Sequence, residues 1–199
     1  AWAVVTHILS FSGISVELIM LGIACALMVV FVGCDVLGLP TIVKLASGLL
    51  GALSGVCLAF ATGHGYLISS KPTWNTMKLP VAYTATSLVG GAFLYLFVAS
   101  MLGANGFVMT QISGIALLCC FFNVVALGAY IRHLGRDIAR TNKKLYERGI
   151  VACGMVATLV LMAVLYAMAM VSSAPDLAFS LVAFVGCAVA LIGGLALRM

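Results

Sequence analysis

Charge is what this chain has least of. Between Lys78 and Arg132 there is no Asp, Glu, Lys or Arg at all. A soluble domain is charged at about a quarter of its positions, so this stretch excludes a water-facing fold. It is long enough to cross a bilayer twice, at about 20 residues per crossing. Its one break is a small polar turn, Gly103-Ala104-Asn105-Gly106. Charged residues make up 8% of the 199-residue chain and apolar ones 64%, which leaves no room for a large extramembrane domain. The apolar runs lack the two-residue alternation of an outer-membrane strand, which argues against a β-barrel. There are only four prolines, Pro40, Pro72, Pro80 and Pro175, and they fall in gaps between apolar runs or at helix starts, where a missing amide proton costs least. The seven cysteines form no C-x-x-C and lie almost entirely inside apolar runs. This argues against a zinc or iron–sulfur site and a disulfide framework. No basic segment precedes a short apolar one, so no signal peptide is legible. The chain opens on Ala1, and it reads as the continuation of a longer protein.

What is present is a set of apolar runs separated by short polar gaps. The expectation is an all-α, polytopic membrane helix bundle forming one domain over 1–199. Its six transmembrane helices are placed at about Val16–Val36, Ile42–Tyr66, Val81–Leu102, Val108–Ile131, Ile150–Val171 and Leu177–Leu197. Helices are the expected form because lipid offers no partner to a free backbone amide. Small residues recur at Gly48, Gly51 and Gly55 and again at Gly186, Gly193 and Gly194, a spacing that lets helices pack closely.

Basic residues set the expected orientation. Arg132, Arg136, Arg140, Lys143, Lys144 and Arg148 fill the gap after the fourth helix. Lys71 and Lys78 lie in the gap after the second, and Arg198 follows the sixth. All nine fall on one side, read as cytoplasmic, together with His7, Glu17 and the C-terminus. Lys44 falls on the other side beside Asp35, and Asp176 is the only charge in the last short loop. The segment 132–148 reads either as a solvated loop attracting anionic headgroups or as a docking surface for a peripheral partner, with Arg132 and Arg136 at its start. It lacks the interleaved aromatics that single-stranded nucleic acid requires, so no nucleic-acid partner is expected.

Four polar groups in or beside the apolar runs need an explanation. Glu17 stands at the entry to the first helix, after Ser12-Gly13-Ile14-Ser15. It serves either as a first-turn carboxylate complementing the helix dipole or as a proton acceptor at a membrane-edge site. His64 stands between Gly63 and Gly65 at the end of the second helix, with Tyr66 next along. It is either a hydrated interfacial histidine or a hydrogen-bond partner for a quinone carbonyl, since imidazole exchanges protons near neutral pH. Asn123 and Gln111 in the fourth helix are expected to make interhelical hydrogen bonds. With His7 and His133 in or beside loops, no two histidines sit at matching depth, so no haem is expected.

Three stretches resemble the membrane anchor subunit of the dimethyl sulfoxide reductase family. One runs from Ala1-Trp2 through Ser12-Gly13-Ile14-Ser15-Val16-Glu17-Leu18-Ile19. The second is Tyr66-Leu67-Ile68-Ser69-Ser70-Lys71-Pro72-Thr73-Trp74-Asn75-Thr76. The third is the basic gap leading into Leu145-Tyr146-Glu147-Arg148. The resemblance covers essentially the whole chain in helix order. Family members have eight helices, so the six here would be the third to the eighth. The family's quinol-associated histidine, at the end of its second helix, has no counterpart in this chain, and His64 belongs to a different helix.

The resemblance implies an anchor that binds menaquinol near one membrane face and holds no haem or metal itself. Electrons would pass to an iron–sulfur electron-transfer subunit and on to a molybdopterin catalytic subunit, in the cytoplasmic (inner) membrane and in anaerobic respiration. Glu17 matches the family's acidic residue beside the quinol site. His64 and Tyr66 complete the candidate quinol-binding set, and Lys71, Trp74, Arg132 and Arg136 the candidate docking set. The alternative function is a small-molecule transporter or channel without redox chemistry, which would call for an internal repeat and a polar midplane cavity.

Overall fold

The computed structural model describes residues 13–67, 76–134, 148–171 and 176–197. Among the described residues every regular element is helical, and six helices are long and apolar enough to cross a membrane. They are α1 (Gly13–Val36), α2 (Thr41–Gly65), α3 (Lys78–Met101), α4 (Gly106–Leu134), α5 (Ile150–Val171) and α6 (Leu177–Ala196). The expected all-α, multi-pass architecture is therefore present. The boundaries differ where polar residues extend a helix. α3 starts at Lys78 and takes Pro80 into its first turn, where the lost amide has no helical partner in any case. α4 continues past Ile131 through Arg132 and His133, carrying the first charges out on the same helix.

Two turns are set by glycine. Gly38 (φ +64°) and Gly103 (φ +71°) adopt the left-handed conformation just past α1 and α3. In each, the following amide reaches back to a carbonyl five residues earlier, Leu39 to Cys34 and Ala104 to Ala99, and the glycine amide bonds to Asp35 or Ser100. This is the Schellman arrangement, which satisfies helix-end carbonyls that lipid would leave unpaired. Asp176, an isolated charge in the sequence, is a helix cap: its carboxylate accepts from the Phe179 amide at 2.8 Å and starts α6.

The chain divides into two compact units, one through Pro80 and one from Val81 onward. The first is the antiparallel pair α1 and α2. Its interface is made by small residues of α2, with Ser47, Gly51 and Ser54 buried. Both serines donate to carbonyls of their own helix, Lys44 and Gly51. They are thus self-satisfied and let the helices approach.

The second unit contains the large core. Phe93, Leu96, Met109, Met162, Leu165 and Phe179 are all buried in it. Here the glycine spacing at Gly186 and Gly193 has its structural meaning. A Cβ at Gly186 would collide with the Phe93 ring, and one at Gly193 would stand 2.7 Å from the Gly154 Cα, so α5 and α6 meet backbone to backbone. The first eight residues of α5, Ile150–Ala157, are wound as a π-helix, which nothing in their uniformly apolar sequence announces.

Candidate functional site

Polar chemistry in the first unit is concentrated at the two ends of the α1–α2 pair. Four contacts between the helices share one register. Lys44 Nζ donates to Asp35 Oδ1 at 2.8 Å. A Cβ at Gly48 would stand 3.1 Å from the Phe31 ring, and one at Gly51 would stand 3.8 Å from Met28 Sδ. Thr62 Oγ1 donates to Glu17 Oε1 at 3.0 Å. In all four pairs the partners lie equally far along the chain from the Leu39–Pro40 bond. On α2 the contact face runs Lys44, Ser47, Gly51, Ser54, Leu58, Thr62, the three-and-four spacing of a single helical stripe. At 1.5 Å per residue the Glu17–Thr62 contact lies about 27 Å along the helix from the Asp35–Lys44 pair, close to the roughly 30 Å hydrocarbon thickness of a bilayer. The two carboxylates therefore stand about one bilayer thickness apart along the hairpin.

This geometry separates the sequence candidates. Glu17 is the fifth described residue of α1, beyond its first turn, so it does not act as a first-turn carboxylate. It is half-buried against α2 through Thr62. Tyr66 follows Thr62 by four residues, about 40° around the helix, and so stands one turn beyond the Glu17–Thr62 contact. It ends α2, its amide bonding to the Gly63 carbonyl, and its side region is half-buried. His64 lies two residues from Thr62, about 200° around, and is exposed on the far side of α2. Thr62, and not His64, is thus the α2 residue bonded to Glu17. Thr62 was not singled out from sequence. The signal was available: Thr62 and Glu17 are symmetric about the Pro40 turn, and an antiparallel hairpin pairs such positions. Of the docking candidates, Arg132 is exposed at the end of α4, and Lys71, Trp74 and Arg136 lie outside the described residues.

The second unit holds a different polar cluster, fully buried. Thr86 Oγ1 (α3) lies within donating distance of Asn123 Oδ1 (α4) at 3.1 Å as well as of its own-helix Ala82 carbonyl at 2.9 Å, and Asn123 Nδ2 donates to the Gly154 carbonyl (α5) at 2.8 Å. Thr158 Oγ1 donates to the same carbonyl at 2.8 Å, while the Thr158 amide turns to Met155. The Gly154 carbonyl, near the point where π-helical winding gives way to α, therefore takes two side-chain donors. Ser100 and Ser180 share a hydrogen bond at 2.8 Å between α3 and α6, and Thr110 Oγ1 donates to the Ala169 carbonyl at 2.8 Å between α4 and α5. These are helix-to-helix ties. Asn123 has the expected interhelical role, whereas Gln111 is exposed on the surface of α4. Among the described residues, no three His, Cys, Asp or Glu side chains are grouped to hold a metal ion.

Comparison of the chain with family models, with curated proteins and with solved structures finds no match.

Proposed function

We propose that this chain is a membrane anchor that binds a quinol, menaquinol by the sequence resemblance, at the Glu17 end of the α1–α2 pair. It would deliver the electrons to an iron–sulfur subunit, which feeds a molybdopterin catalytic subunit at the cytoplasmic membrane. The observation that carries this reading is the half-buried Glu17 carboxylate, held by Thr62 at one end of a membrane-length hairpin. A charged side chain at the bilayer centre costs about 2.5–3.5 kcal/mol or more, and even a partly buried carboxylate near the membrane edge is retained where it has work to do. At the membrane edge it can accept a quinol proton while the apolar sides of α1 and α2 accommodate an isoprenoid tail. Tyr66, one turn beyond Thr62, is the second candidate contact to the quinol head. His64, on the opposite face of α2, is left out of the proposed head-group site. The basic gaps at Lys71 and Trp74 and from Arg132 to Arg136 are the proposed docking surfaces for the partner subunits.

The test is Glu17→Gln in the intact complex, purified with its partner subunits. Quinol-dependent reduction of the partner's iron–sulfur clusters should fall at least tenfold, with subunit composition unchanged. Undiminished cluster reduction would remove Glu17 from the chemistry. Purification without redox partners, and without affinity for naphthoquinone analogues, would defeat the anchor reading as a whole.

A further inference from the structure

Thr62 Oγ1 lies 3.0 Å from two acceptors, the Glu17 carboxylate on α1 and the Leu58 carbonyl on its own helix. A threonine hydroxyl carries one proton and two lone pairs. It can donate to only one of these acceptors at a time, and it can accept from the other if that group gains a proton. The Leu58 carbonyl cannot gain one; the Glu17 carboxylate can.

From this geometry we infer that Thr62 is a two-way hydroxyl that holds Glu17 in both of its protonation states. With Glu17 ionised, the Thr62 proton points to Oε1. When Glu17 takes up a proton, its own O–H donates to Thr62 Oγ1, and the Thr62 proton rotates to the Leu58 carbonyl. When that proton leaves, the rotation reverses. Thr62 gains and loses no proton over the cycle, and each state keeps a hydrogen bond between α1 and α2. Valine would fill the same volume and offer neither bond; serine would keep both.

Among the described residues of α2, the hydrogen bond to Glu17 comes from Thr62. Along the α2 face packed on α1, Lys44 is the one charged side chain, and it is paired to Asp35 at the other end of the helix. His64 is on the opposite side of α2, and Tyr66 stands one turn beyond Thr62. Thr62 is accordingly a positioning residue. It keeps the carboxyl aimed along the α1–α2 face through gain and loss of a proton, which a site that cycles protons requires. Its use in quinol chemistry rests on the function proposed above; the two-way hydrogen bond does not.

The experiment is pH-difference infrared spectroscopy of the full chain in lipid, with Glu17 bands assigned as those lost in Glu17→Gln. In Thr62→Val, and in Thr62→Ala should valine fold poorly, both the protonated-carboxyl and the carboxylate bands of Glu17 should shift. Thr62→Ser should return both to their wild-type positions. A shift of the carboxylate band alone, no shift of either, or no titrating Glu17 band overturns the inference. Binding of a menaquinone analogue, measured separately on wild-type protein, reports on the quinol reading without touching this result.

Discussion

Asn123 shows how much one polar residue can join in an otherwise apolar bundle. Its amide spans three helices, accepting from Thr86 and donating to Gly154. Interhelical hydrogen bonds in lipid contribute about 0.6 kcal/mol on average and up to about 1.7, so losing two at once matters. Asn123→Leu is expected to cost about 1–2 kcal/mol, read as a lower unfolding midpoint in detergent. Gln111→Leu on the same helix, exposed to the surroundings, should stay within about 0.5 kcal/mol. Equal effects at the two sites would mean that the cluster carries no special stability. Asn123 was legible in the sequence because an amide amid leucines and valines demands a partner. Its partner was not, because a backbone carbonyl such as that of Gly154 leaves no mark in the sequence. Glu17 was legible for the same reason as Asn123. Its role as a first-turn carboxylate was misplaced, because α1 begins before the last serine of its approach and carries the residue past the first turn.

At the level of the helices, the glycine of closest approach governs the α5–α6 contact. Gly193→Ala pushes a methyl against the Gly154 backbone, which cannot rotate away as a side chain would. Gly194→Ala meets only the Thr86 methyl at 3.6 Å, an ordinary contact. The first substitution is expected to cost about 1–3 kcal/mol, in the range of overpacking, and the second little; matched thermal melts would separate them. Spacing alone made both glycines equal candidates for packing, and rotation about α6 distinguishes them. The helices themselves were readable because the gaps collect charge, proline and polar turns. The π-helical start of α5 was not, since its run of apolar and small residues shows no polar face by which the wider π turn could be told from the α turn. It coincides with the doubly bonded Gly154 carbonyl, and such segments often accompany functional sites in helices.

Across the whole molecule, the first unit carries its polar anchors at its two ends and the second carries them inside. The second is held by ties between buried side chains, which lipid composition reaches only indirectly. The first is bounded by Asp35 with Lys44 at one end and Glu17 with Thr62 at the other. That spacing works as a ruler. A bilayer much thicker than the ruler would draw one of the acids into oil or force the hairpin to pucker the surrounding leaflet, while a thinner one would make it lean; each adjustment costs a fraction of a kcal/mol per ångström of mismatch. Reconstituted into phosphatidylcholines of stepped acyl length, the protein should be most heat-resistant where the oily slab spans about 27–30 Å. Exchanging both acids for leucine should flatten that optimum. The membrane in which this chain resides would then be chosen, in part, by the gap between two carboxylates.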